Sequence, residues 1–465
     1  MLLTIGIILT LAVGFLTIKS FSNTNELSSA EIIGLAFPMG LLIEVMVLVV
    51  LDFVRLPLNI TSTLLFNTTI IAALYYFISK QKGRFTIHVS WKQIKQYLSS
   101  KNIVWLMLLA IIAYLEYQNF VKCIYFPTVD RDSIAAFDTL GYVFAQEGCI
   151  SASSIFDPSY NLAIKDGGSY LAYPPFTQVS YAFVYIFGAE TSKLIPALLF
   201  LSFIFACYGV LQREIKATGA MLVTLFITIT PEMISFSSLS GTNVIHAIYA
   251  SLGVIYALKW ILKAQSTRDT NFWCSALLLS ANFLVRSEGI IFIGATGLFI
   301  LLNSIKAKSY KNMLLWVAIT ITPALIWKLH QMLTGMTTES FVITELFYDS
   351  EKARTIYGAF KFLFTNQTLF GWTFIVLLCS CIATLLFIKR DPRVWIGWSV
   401  LLISVVGYAI VLYQVDYVWD SLLNVLNYSA KRYFFCFVPI AWYLSVTNYP
   451  VKQLLIKMDG YLSLK

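Results

Sequence analysis

Residues 102–133 read NIVWLMLLAIIAYLEYQNFVKCIYFPTVDRDS, a mostly apolar run that ends in a cluster of acids. The apolar part is long enough to cross a bilayer core of about 30 Å as a helix. Pro127 then confines Phe126 to an extended backbone and stops the helix, so Asp130 and Asp132 fall on the turn beyond it. Runs of this kind recur from end to end of the 465-residue chain, which is 58% hydrophobic, 15% aromatic and only 12% charged. A soluble domain carries about 25% charged residues, so a string of soluble domains is excluded. The uninterrupted apolar runs exclude a β-barrel, whose strands alternate in polarity.

The fold class is therefore all-α, a polytopic membrane protein with about 13 transmembrane helices. They are expected at 2–18, 32–54, 57–79, 102–122, 191–211, 219–234, 242–262, 272–285, 289–303, 313–333, 369–388, 394–413 and 433–449. Residues 2–18 have no basic region before them and no small-residue cleavage site after, so they read as a first span. The seven cysteines make neither a disulfide framework nor a zinc pattern. Cys123 and Cys149 share one outer loop and could pair, whereas Cys379 and Cys381, inside an apolar run, read as small buried hydrophobes.

The net charge of +9 is spread over short clusters, which argues for cytoplasmic loops and against nucleic-acid binding. Lys80, Lys82, Arg84, Lys92, Lys95 and Lys101 surround an amphipathic stretch after the third span. Alternation then places four further groups inside: Arg213 with Lys216, Lys259 with Lys263 and Arg268, Lys306 with Lys308 and Lys311, and Lys389 with Arg390 and Arg393. Three long segments lie outside, at about 123–190, 335–368 and 414–432. The polar residues gather on that face, where chemistry is expected.

The first outer loop holds Asp130, Asp132 and Asp138 within nine residues, and Ser133 to Glu147 has helical spacing with Gly148 as its stop. A short helix lying along the interface follows. Asp132 before Ser133 fits a helix cap with first-turn charge. It equally fits a general base that takes a proton from an acceptor hydroxyl. No glycine-rich phosphate loop is present, so a sugar donor would have to arrive through the membrane on a lipid phosphate. Residues 272–303 form two short apolar arms with basic clusters at both ends, joined by Val285-Arg286-Ser287-Glu288-Gly289. Each arm reaches only about 22 Å, which puts the Arg286–Glu288 turn below the outer surface, where a charge must face the protein interior.

The order of these pieces resembles a family. A span leads to an outer loop that opens with acids, then an aromatic (Phe137), then Glu147-Gly148, then Tyr173-Pro174-Pro175. With the Arg286–Gly289 turn and Ser429-Ala430-Lys431-Arg432-Tyr433 before Pro439, this is similar to the GT-C glycosyltransferases. Those enzymes use polyprenyl-phosphate sugars and include protein mannosyltransferases and aminoarabinose transferases. The resemblance covers about residues 102–449. It divides the chain into 1–101, additional N-terminal helices with a cytoplasmic amphipathic segment, and 102–465, a GT-C-like catalytic module with outer-face interfacial helices. It implies an integral protein of a bacterial inner (plasma) membrane whose active site faces outward.

The resemblance also implies roles. The first-loop Asp is the family's base, which falls on Asp132, with Asp130 close enough to substitute or to help bind a metal. Where many members carry an Asp after a Thr-Pro element, this chain has Thr230-Pro231 and then Asn243. A second carboxylate would have to come from Glu232, and a divalent metal is left open; no other cofactor is implied. A lipid phosphate needs cations, and Arg, with its planar fork, suits it best. Arg286 and Arg432 are the first choices, then Lys431 and Lys193. Arg286 could instead pair internally with Glu288, Lys431 and Arg432 could snorkel to headgroups, and Lys193 could anchor its span. Tyr173 and His246 are cavity candidates, and Glu44, within the added helices, reads as structurally paired. The partners are the bilayer, a polyprenyl-phosphate-linked sugar and an acceptor left open among glycan, lipid and protein. The alternative readings are an O-antigen polymerase or ligase, which relies on outer arginines, and a lipid-linked sugar flippase or transporter, which predicts internal repeats that this chain lacks.

Overall fold

The computed structural model describes residues 1–22, 26–80, 102–156, 173–263, 266–336, 348–387, 394–414 and 421–462. Lys82, Arg84, Lys92, Lys95 and Lys101, and the cluster Lys389, Arg390 and Arg393, lie outside the described residues. Among the described residues every regular element is a helix.

The chain opens with α1 (Leu2–Phe21), α2 (Ser29–Phe53) and α3 (Ile60–Ser79). A reciprocal cap starts α2: the Ser28 hydroxyl accepts from the Glu31 amide at 3.2 Å, and the Glu31 carboxylate accepts from the Ser28 amide at 2.7 Å. Asn59 caps α3 through the Ser62 amide at 2.9 Å. Next come α4 (Ile103–Tyr125), the short α5 (Asp138–Glu147) and α6 (Phe176–Ile186). Gly148 ends α5 in the left-handed region at φ 68°, a stop that favours glycine. The interfacial-length helix expected before that glycine is present, with one wide turn over Ser133–Phe137 at its start.

The remaining bundle runs α7 (Leu194–Ile215), α8 (Ala217–Thr228), α9 (Asn243–Ile261), α10 (Thr270–Val285), α11 (Gly289–Ala307) and α12 (Lys311–Thr334). It finishes with α13 (Ser350–Thr365), α14 (Thr373–Phe387), α15 (Val394–Gln414), α16 (Phe437–Thr447) and α17 (Tyr449–Leu462). Nine of these are long and apolar enough to cross a membrane, or ten if the bent pair Leu422–Thr447 and Tyr449–Tyr461 counts as one span. The chain is thus a polytopic integral membrane protein, with fewer full-length spans among the described residues than the thirteen expected. The short helices are α8, α10 and α14, of 12, 16 and 15 residues, of which α10 is the short arm expected before Arg286, whereas α11, the other arm, is long enough to cross. At 1.5 Å per residue the three short helices reach about 18–24 Å, short of a bilayer core. The last apolar segment bends by 78° instead of running straight.

Helix α9 is the axis: all of its residues, Asn243 to Ile261, are buried. It packs against α7, α10, α11 and α16. It also reaches the N-terminal helices, through Tyr249 OH to the Pro38 carbonyl at 2.8 Å and Tyr256 OH to Glu31 Oε1 at 3.1 Å. Glycines let α1 and α2 touch backbone to backbone. A Cβ at Gly14 would strike the Ala36 carbonyl oxygen, and one at Gly40 the Thr10 carbonyl oxygen. A Cβ at Gly34 would strike Ala206 of α7 in the same way.

At the far end of α2, Asp52 accepts three hydrogen bonds: from the amides of Ile150 and Ser151, at 2.7 and 2.9 Å, and across 2.7 Å to His330 Nε2 of α12. The cysteines are free; Cys123 is buried and Cys149 partly so. Cys379 differs from its expected burial, because α14 lies at the rim of the bundle and turns that residue outward.

Candidate functional site

The chain leaves α4 at Phe126 in extended backbone, and the acids follow at once. Asp130 takes the capping role: its Oδ2 accepts from the Ser133 amide at 3.0 Å and the Ser133 hydroxyl at 2.8 Å. Asp132, which precedes Ser133, makes no cap hydrogen bond. The bland and the chemical readings of this acidic pair thus fall on different residues. Asp138 accepts from Tyr185 OH at 2.5 Å and from Thr128 at 3.4 Å, which ties α5 to α6.

Asp132 Oδ2 lies 2.5 Å from Arg432 Nη1, joining the first loop to the segment that leads into α16. The guanidinium also sits over the Phe236 ring, 5.4 Å from its centroid. Beside it, Lys431 Nζ donates to Glu232 Oε1 at 3.2 Å. Phe236 and Glu232 both come from the short helix Pro231–Phe236, so one six-residue turn supports both cations.

The second arginine is held more deeply. Arg286, only 8% exposed, donates to Glu288 Oε1 at 2.9 Å and to Asn243 Oδ1 at 3.4 Å. Burial works against both charges of this pair. Glu288 nevertheless holds the guanidinium above its ordinary pKa, and Arg286 holds the carboxyl below its own. Asn243, standing where a second carboxylate was sought, is a neutral acceptor for the arginine.

Tyr173 lies beside Arg286. Arg286 lies 5.8 Å from its ring centroid, and Phe137 meets it edge-on at 5.1 Å. Burial pushes the Tyr173 phenol up; Glu288 and Asp132 push it the same way, while Arg286 and Arg432 oppose them. The Asp132–Arg432 and Arg286–Glu288 pairs therefore both act on this one side chain. Below them His246, 1% exposed, lies between Tyr433 and Phe292 at ring distances of 5.4 and 6.0 Å. Neither of its ring nitrogens has a hydrogen-bond partner among the described residues.

Of the sequence candidates, Asp132, Arg432, Lys431, Glu232, Arg286, Glu288, Asn243, Tyr173 and His246 fall in this neighbourhood. Lys193 does not join them. It is buried and donates to the carbonyl of Phe126, holding the end of α4, and burial lowers its pKa. Glu44 is fully buried on α2 and accepts from Asn67 of α3 at 2.7 Å.

Sequence reasoning missed Phe236, the Tyr408–Tyr433 stack at 3.6 Å, and the Asp52–His330 pair. Asp52 and His330 each sit at the same end of an apolar helix, and two such titratable groups were the available signal. Among the described residues no group of three or more His, Cys, Asp or Glu is placed to hold a metal ion. Comparison with protein-family models, curated proteins and solved structures finds no match for this chain.

Proposed function

We propose that this protein is a membrane glycosyltransferase of the GT-C type, moving a sugar from a polyprenyl-phosphate donor to an acceptor at the membrane face that carries Asp132. On this reading the face is the outer side of a bacterial inner membrane. The observation that carries the proposal is the 2.5 Å contact between Asp132 and Arg432, near enough to Tyr173, the ring over which Arg286 lies, for their charges to act on its phenol. Inverting transfer from a lipid phosphate needs one carboxylate for the acceptor and cations for the departing phosphate, and this cluster supplies both.

In the proposed step the acceptor hydroxyl gives its proton to Asp132 while its oxygen attacks the anomeric carbon. The bond from that carbon to the phosphate oxygen breaks, and the polyprenyl phosphate leaves with the additional negative charge. Arg432 and Arg286 stabilise that charge. The two arginines differ in what moving them costs. Asp132 and Arg432 keep 33% and 19% of their side-chain surface exposed, and ion pairs of that accessibility contribute only about 0–1 kcal/mol. A donor phosphate can therefore displace Asp132 from Arg432 and free the base. Arg286 is fixed by Glu288 and Asn243 and acts as a stationary charge.

The test is to incubate purified protein with a panel of polyprenyl-phosphate sugars and follow loss of the sugar by mass spectrometry. Asp132→Asn should abolish transfer with folding intact. Normal transfer by that variant overturns the proposal.

A further inference from the structure

The end of the bundle opposite Asp132 holds a cavity of about 290 Å3. Helix α9 begins at Asn243 in the Asp132 neighbourhood, α7 begins where Lys193 holds the Phe126 carbonyl at the end of α4, and the two carry Lys259 and Arg213, respectively, in their last turns. Those two cations line the cavity together with Lys263 and with Lys452 of α17, against one lining carboxylate, Glu214.

The arrangement of the charges is built, not scattered. Glu214 bridges Lys259 and Lys452 at 3.0 and 2.9 Å, which fixes two ammonium groups on one wall. Arg213 bonds Glu31 at 3.0 Å from Nη1 alone, leaving Nε and Nη2 as further donors. Lys263 stands 3.6 Å from Asp269. With Glu31 and Asp269 counted behind the wall, one positive charge remains in excess. The Tyr443 hydroxyl adds a neutral donor. Apart from Thr447, the rest of the wall is apolar: Leu258, Leu262, Val394, Gly397 and Leu444. The chain bends by 78° before α17, and Lys452 of that helix lines this space.

We propose that this cavity is a phosphate-binding site for the headgroup of an anionic lipid, separate from the Asp132 cluster and not dependent on the function proposed for it. Small-molecule sites run from about 300 Å3 upward, so the space takes a headgroup and not a whole lipid. Basic pockets between membrane helices favour anionic headgroups because the surrounding apolar wall accepts the start of the acyl chain. The shared chemistry is a phosphate oxyanion, which a soluble phosphate ester could also present.

The experiment uses the full-length protein in detergent. Phosphatidylglycerol and phosphatidylcholine with identical chains form the lipid arm, read by native mass spectrometry. Glycerol 1-phosphate forms the soluble arm, read as competition with phosphatidylglycerol and as a thermal shift. Lys263→Gln with Lys452→Gln should weaken phosphatidylglycerol retention about fivefold per lysine, whereas Lys306→Gln with Lys457→Gln should leave it unchanged. Preference for phosphatidylglycerol lost only in the first variant supports the lipid source. A glycerol 1-phosphate shift with that same dependence, and no lipid preference, supports the phosphate site with a soluble ligand. Equal retention of both lipids without any phosphate shift, or equal loss in both variants, overturns the proposal. Lys263→Gln alone, which removes no hydrogen bond, serves should the double variant fold poorly.

Discussion

Asp132 and Arg432 are 300 residues apart in the chain and 2.5 Å apart in space. The contact makes the two residues interdependent, and it separates charge from geometry in a testable way. Arg432→Lys keeps the charge but loses the planar fork, so phosphate is held less well. We expect the donor KM to rise about tenfold with a smaller fall in kcat. If Asp132 is the base of the proposed reaction, Asp132→Asn should lower kcat about 10²–10⁴-fold with the donor KM little changed. Steady-state kinetics on a polyprenyl-phosphate sugar distinguish the two; matching changes in both variants would contradict the separate roles.

Arg286 and Glu288 form the more deeply buried pair, with side-chain exposures of 10% and 23%. Removing one partner leaves an uncompensated charge, so Arg286→Ala should destabilise the protein by about 3–5 kcal/mol. Replacing both by neutral residues of similar size should recover most of that loss. Thermal unfolding in detergent reads both effects. A double variant no more stable than Arg286→Ala would count against the pairing as the cause.

The glycine contacts of α1 and α2 leave no room for a methyl group. Gly14→Ala and Gly40→Ala should each force the helices apart, costing about 1–3 kcal/mol or more, with lower yield and a lower melting temperature. Gly294→Ala, where a Cβ meets nothing within 4 Å, is the matched control. Equal losses at all three sites would show that the cost is not steric.

Glu147 sets the pH behaviour of the first loop. Burial pushes its carboxyl upward, but hydrogen bonds from the Ser154 hydroxyl and amide outweigh it and hold the pKa below the usual carboxylate value. A folded pKa below the unfolded one gives stability that is present above the unfolded pKa and is lost as pH falls through the folded one. The Ser154 amide, which donates to Glu147 at 2.8 Å, should therefore exchange faster with deuterium as pH drops below the ordinary carboxylate range. Comparison is made after correction for intrinsic exchange. Glu147→Gln should remove that pH dependence.

The helical membrane fold was legible because hydropathy and helix length are local properties. Gly148 and the Arg286–Glu288 turn were legible for the same reason, since a stop and a two-residue ion pair are written within a few positions. Local pattern showed that α10 is short, since Arg286 ends its apolar run, but it did not reveal that α8 ends at Thr228, because Ile229 and the Met233–Phe236 stretch keep the composition apolar past its last helical residue. Nor could it choose the partner of Arg432. Nothing near residue 432 names Asp132, and the pairing exists only once α4, the Pro231–Phe236 turn and the last bundle segment have packed. The division of labour between Asp130 and Asp132 was hidden too, because both precede Ser133 and only backbone geometry decides which one caps.

Asp52 belongs to the second helix, yet it holds the amides of Ile150 and Ser151, at the foot of the loop that begins with Asp130 and Asp132. A shortened protein starting after residue 101 would therefore lose more than bilayer anchorage. It would strip two peptide groups of their acceptor, take from the His330 imidazole its carboxylate partner, and unmoor the platform under Asp132. Helices α1–α3 thus work as scaffolding for the loop that carries Asp132, and a shortened version meant to keep that loop in place must retain them.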